Sequence, residues 1–240
     1  MIDIFYIRRR GGDLAFADLS SLDLDSDKLP DGFIYRLSSL IDRDEEARAA
    51  RTIGDMVSSV VTDWIQEKRY ILRLLVSAVI FVLVYLICSL AIRDPIPMVD
   101  ELLIAFGCAA ASYILIARND GKASVAIKKR QRLLDGVRKA GFDYSDSILE
   151  IEKTLEALDD EDQFALLRRI ASSSLGKADV SQAFRNGFAA WMRMYRHDEW
   201  SAARRIEAGK LRGERLERKL LHDADARGLD IPLIAFSLMI

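Results

Sequence analysis

The amino-acid sequence predicts a mostly α membrane protein. In it a two-helix transmembrane hairpin is joined to a cytoplasmic α+β domain built from both flanks, a small sheet from the termini plus helices. Three observations carry this expectation. Two uncharged stretches, Leu74 to Ile92 and Leu102 to Ala117, stand nine residues apart. Short apolar runs at the two ends of the chain suit strands. Most of the remainder repeats its apolar residues at three- and four-residue intervals, the period of a helix with one buried face.

Residues 1–43 form the first region, a cytoplasmic segment with a β-hairpin. Ile2, Ile4 and Tyr6 alternate with Phe5 and Ile7, Gly11-Gly12 follows, and then Leu14, Ala15, Phe16 and Leu19, which predicts a hairpin turning at the glycine pair. Met1 to Arg10 lack the basic-then-apolar order of a cleavable signal, so the later apolar run is expected to act as an internal anchor. Asp23, Asp25 and Asp27 have the spacing that opens an EF-hand. Lys28 stands where that loop needs glycine and Ile34 where it needs glutamate, so an acidic surface loop is the expectation.

Residues 44–70 read as a helical stalk. Ile53, Met56, Val57, Val60, Val61, Trp64 and Ile65 share one stripe that continues towards Tyr70 without a proline. Residues 71–117 are the hairpin, with spans at 71–92 and 98–117 and an outer loop at 93–97. At ~1.5 Å per residue both spans approach the ~30 Å of a bilayer core. Lys68, Arg69 and Arg73 before the first span, and Arg118, Lys122, Lys128, Lys129, Arg130 and Arg132 after the second, predict cytoplasmic termini in an inner or plasma membrane. Arg73 is expected to snorkel to the headgroups, and Lys128, Lys129, Arg130 and Arg132 to contact them.

Residues 118–240 read as a cytoplasmic helical region ending in a strand. Helices are expected over Val125 to Lys139; after Ser145 or Asp146 with Ile148, Ile151, Leu155 and Leu158 inward; from Asp159-Asp160 with Phe164, Leu167 and Ile170; and after Asp179 on the stripe Val180, Phe184, Phe188, Trp191, Met192 and Tyr195. A charge-laced helix from Glu199 should stop at Gly228. The apolar run Leu233 to Leu238 after Pro232 predicts a buried strand that joins the N-terminal hairpin.

Composition bounds the function. The formal net charge is −2, with an acidic excess before the hairpin and only a modest basic one after it, so no nucleic-acid binding is expected. Cys88 and Cys108 both fall inside the spans, which leaves the soluble parts without thiol chemistry. Gly121-Lys122 lacks the first glycine and the hydroxyl of a phosphate-binding loop. His197 with Asp198 and Glu199, and His222 with Asp223, suit capping and solvation better than a metal site. No cofactor and no enzymatic activity are expected.

Two constellations remain. Asp94, Asp100 and Glu101 form an acidic loop that could attract cations if repeated around an axis. Gly107 and Ala111 form a small-residue face on which helices can pack closely.

In layout, a helical stalk, a short acidic loop before the second span and a return helix, residues 44 to 140 resemble the pore subunits of the mitochondrial calcium uniporter family. That family carries a tryptophan-aspartate pair and a glutamate-proline pair at its pore entrance. The matching stretch here runs Pro95, Ile96, Pro97, Met98, Val99, Asp100, Glu101, Leu102 and has neither pair. The expected function is a non-enzymatic, homo-oligomerising membrane anchor or scaffold that presents a cytoplasmic interaction domain to a protein partner. A small cation channel or transporter subunit is the alternative, and the absence of intramembrane charge beyond the edge residue Arg73 favours the anchor.

Overall fold

A computed structural model describes residues 1–26, 32–91, 99–120, 122–209 and 213–240. It is mostly helical with one small mixed sheet, and it divides into two compact units, residues 1–56 with 135–240 and residues 57–134.

The first unit holds the sheet. Strands β1 (Ile2–Ile7) and β2 (Leu14–Ala17) pair antiparallel, with Phe5 opposite Phe16. The connecting loop carries Gly12 at φ 119°, a left-handed value that glycine adopts without strain. β3 (Phe33–Leu37) lies parallel to β1, and β4 (Gly141–Tyr144) parallel to β3, giving the order β2-β1-β3-β4.

The residues from Arg43 to Lys68 form α1, whose first turn is closed by a reciprocal cap. The Asp42 carboxylate accepts from the Glu45 N–H at 2.6 Å and the Glu45 carboxylate from the Asp42 N–H at 2.8 Å. Ala49, Ile53 and Met56 are buried on its first-unit part.

Six helices follow β4 among the described residues of this unit: α5 (Asp146–Asp160), α6 (Gln163–Ala171), α7 (Gln182–Tyr195), α8 (His197–Glu207), α9 (Gly213–Arg227) and α10 (Ile231–Met239). Between α1 and β4 the chain runs through α2 (Tyr70–Ala91), α3 (Val99–Asp120) and α4 (Ser124–Arg138). The core is an aromatic cluster. Phe184 of α7 sits 5.1 Å from Phe5 and 5.0 Å from Phe16, and Phe236 of α10 sits 5.5 Å from Phe188, ring centre to ring centre. Edge-on geometry of this kind adds to what burial alone supplies.

Four expectations are corrected here. The C-terminal apolar run is a helix: Asp230 caps it by accepting from the Leu233 N–H at 3.0 Å, Pro232 suits a first turn, and Ile231 and Leu233 to Ser237 are all buried. A helix that is apolar all round belongs inside, and so does a buried strand, so the run's composition did not separate the two. The sheet is therefore completed by β3 and β4 and takes nothing from the C-terminal segment. α6 is opened by Asp162, which accepts from Phe164 and Ala165, while Phe164 is exposed and Asp159 serves an ion pair. The long charged helix is two, α8 and α9, with Gly209 after the first and Gly213 opening the second, both at left-handed φ; Gly228 ends α9 as expected.

The second unit holds the apolar helices α2 (Tyr70–Ala91) and α3 (Val99–Asp120) and most of α4 (Ser124–Arg138), together with the α1 residues Val57, Val61 and Ile65, which are buried. The Arg69 N–H donates to Ile65 and the Arg73 N–H to Arg69, so helical bonding runs through the junction of α1 and α2. α2 and α3 pack antiparallel, with Ala105 wholly buried and the Ser112 hydroxyl 3.4 Å from that of Ser77. Their outer faces are bare: Ile71 is 76% exposed, Leu90 82% and Phe106 66%. Both helices are long and apolar enough to cross a membrane.

Candidate functional site

The densest polar constellation of the second unit lies where α2 begins and α3 ends. Asp120 is buried and receives two cations, Arg69 Nη1 at 3.0 Å and Arg73 Nε at 3.3 Å. Arg73 is itself buried, donates to the Gln66 carbonyl and lies 5.4 Å from the centre of the Tyr113 ring. Burying a charge is costly unless it is paired, so this arrangement holds the bases of the two helices in one register. Arg73 was expected to reach out to headgroups. It turns inward, because Asp120, the last residue of α3, meets it there.

Below this cluster Trp64 is flanked by Lys68 and Lys129, at 5.0 and 5.3 Å from its ring centre. Arg130 donates to the Thr62 hydroxyl at 3.2 Å. Of the four residues expected to contact headgroups, Lys129 and Arg130 thus lie against α1, and Lys128 and Arg132 are exposed.

The remaining expected site residues are placed as follows. Asp100 is exposed and Glu101 half-buried in the first turn of α3, where a carboxylate complements the positive end of the helix. Asp94 lies outside the described residues. Gly107 and Ala111 are exposed, whereas Ala105 is wholly buried and Ser112 meets Ser77 of α2. A Cβ added at Gly107 would meet nothing within 4 Å. Asp23 caps its own loop by accepting from the Asp25 and Ser26 N–H groups, and Asp27 is outside the described residues. Among the described residues no three histidine, cysteine or acidic side chains gather as a metal site.

Sequence reasoning missed the polar hub of the first unit. Arg9 is nearly buried, with Nε 2.8 Å from Asp159 and Nη1 2.6 Å from Asp230, the residue that caps α10. Burial alone would weaken the hold of Arg9 on its proton, yet the two carboxylates outweigh it and raise the guanidinium above its ordinary range. An open groove of about 650 Å³ lies beside it, lined by Tyr6, Asp13, Arg48, Arg51 and Thr52 among others. Its Tyr6 hydroxyl donates to Asp13 at 2.7 Å, and burial together with that carboxylate pushes the phenol well above its usual range.

Set against family models, curated proteins and solved structures, the chain matches none of them.

Proposed function

We propose that this chain is a non-enzymatic integral membrane protein, anchored as an α2–α3 hairpin and presenting its sheet-containing unit on the cytoplasmic side as a protein-interaction scaffold. One observation carries the reading: the outer faces of α2 and α3 expose large side chains such as Ile71, Leu72, Leu90, Leu103 and Phe106. Leaving each of these in water forgoes roughly 1.5–3 kcal/mol, so the hairpin calls for an apolar surrounding. Lipid supplies it. The basic residues on both flanks and the acidic Asp100 and Glu101 at the far end support a cytoplasmic side for the flanks, because lysine and arginine favour that side of a membrane. The free Gly107 and Ala111 face leaves room for a second hairpin, which supports self-association.

The test is fractionation with topology. The protein should stay in membranes through an alkaline carbonate wash. A cysteine placed at Ile96 should react with an impermeant reagent from outside, and one at Ser147 only after permeabilisation. Release by carbonate, or the reverse labelling pattern, would sink the proposal.

A further inference from the structure

We propose that the base of the hairpin is a binding site for the phosphate of an anionic phospholipid, an inference that rests on the membrane reading above and adds a lipid class to it. Asp120 is one carboxylate shared by two guanidinium groups, so the cluster keeps an uncompensated positive charge. Arg73 is committed inward, to Asp120, Gln66 and the Tyr113 ring. Its partner Arg69 keeps 40% of its side chain exposed, and a guanidinium has five donors for two acceptors to share.

Arg118 and Lys122 stand two residues either side of Asp120, both exposed and neither in an ion pair with any described residue. Lys68 adjoins Arg69. Because the Arg69–Asp120 contact fixes the two helices in register, and residues along a helix advance only ~1.5 Å each, these cations share one narrow level. That level is where the apolar run of α2 starts and the apolar face of α3 ends, the depth at which lipid phosphates lie. Apart from Asp120, the acid nearest in sequence to these cations is Glu67, and it is exposed.

A phosphodiester accepts charge-assisted hydrogen bonds from such groups. A choline headgroup brings its own ammonium to the same cations, whereas phosphatidylglycerol brings net negative charge, so the site should discriminate between them.

The full chain would be reconstituted in nanodiscs of phosphatidylcholine alone and in discs with a third of the lipid replaced by phosphatidylglycerol. The thermal midpoint and lipid retention in native mass spectrometry would then be compared. The expected result is a higher midpoint with phosphatidylglycerol and retention about tenfold above phosphatidylcholine, the effect of one or two cations at an anionic surface. Arg118→Gln with Lys122→Gln, which removes no described contact, should erase most of that preference and leave the midpoint in phosphatidylcholine unchanged. Arg69→Gln should erase it as well, with some loss of midpoint in both discs.

Equal behaviour of the wild-type chain in both discs would overturn the inference and leave the membrane reading standing. A preference that survives in both variants would equally overturn it, by placing lipid selection elsewhere. Inorganic phosphate that raises the midpoint as much as phosphatidylglycerol would make this a site for free anions. Failure to enter discs at all would instead overturn the membrane reading.

Discussion

Arg9 joins three elements that are far apart in the chain: the loop after β1, the end of α5 and the cap of α10. Removing it leaves Asp159 and Asp230 facing each other in a poorly solvated place, and breaking a buried pair of this kind costs about 3–5 kcal/mol. Arg9→Ala should therefore speed hydrogen exchange of the β1 amides by several orders of magnitude. Arg9→Lys should restore only part of the protection, because a point charge replaces a fork that holds two carboxylates. Exchange unchanged in both variants would show that the hub does not hold the unit together. Glu45 supplies a pH test. The Asp42 N–H and then Arg8 hold its carboxyl below the usual range. A depressed folded value means that its contribution is full above the unfolded value of about 4.3 and is lost as pH falls through the folded one. Glu45→Gln should thus lower stability at neutral pH and shrink the loss seen on acidification, as thermal midpoints between neutral and acid pH will show. None of the Arg9 contacts was legible in the sequence. Its partners lie 150 and 221 positions away, and an arginine before Gly11-Gly12 reads equally well as a solvated turn residue.

Helix α7 comes so close to β2 that a Cβ on Gly187 would stand 2.9 Å from the Ala17 carbonyl carbon, a backbone atom that has little room to yield. Gly187→Ala should cost about 1–3 kcal/mol, the usual penalty of overpacking, and urea unfolding measures it. On the α3 surface the outcome is the opposite. Gly107→Leu should leave the thermal midpoint of the isolated hairpin pair nearly unchanged, because nothing lies within reach, yet lower the oligomer population in detergent if subunits meet there. An unchanged mass profile would remove that face from any assembly. The amphipathic helices were legible because the stripes of α1, α5 and α7 are long enough to define a period. Shorter elements were not. Phe33 to Leu37 alternates over five residues and Gly141 to Tyr144 spans four, too little to stand out from loop. The Leu233 to Leu238 run is apolar at every position but Ser237, so it shows neither period, and only Asp230 and Pro232 signalled a helix start. The α3 surface was half legible: its small residues announced close packing, but Ala105 is the one wholly buried and Ser112 meets the neighbour, whereas Gly107 is exposed.

At the scale of the molecule, the sheet-bearing unit is assembled from chain on both sides of the apolar hairpin. A fragment of residues 1–68 contains β1, β2 and β3 but lacks α7, whose Phe184 and Phe188 cover Phe5 and Phe16, and α10, whose Phe236 packs on the Phe184 and Phe188 rings. Without that cover the strands expose an apolar face and an open edge. The fragment should give a disordered circular dichroism spectrum, and mixing it with residues 135–240 should restore ordered signal; a fragment already folded alone would contradict this architecture. The β3–β4 pairing also sets an order of events during synthesis. Arg36 and its partner Asp143 lie 107 positions apart, and at 5–20 residues per second the ribosome needs roughly 5–20 s to cover that distance. During that interval both apolar helices emerge ahead of β4, while the first three strands wait without their last partner. Under the membrane reading proposed above, such a nascent chain meets the translocon before it can fold, and chaperone demand should peak while the ribosome is still translating the stretch before β4.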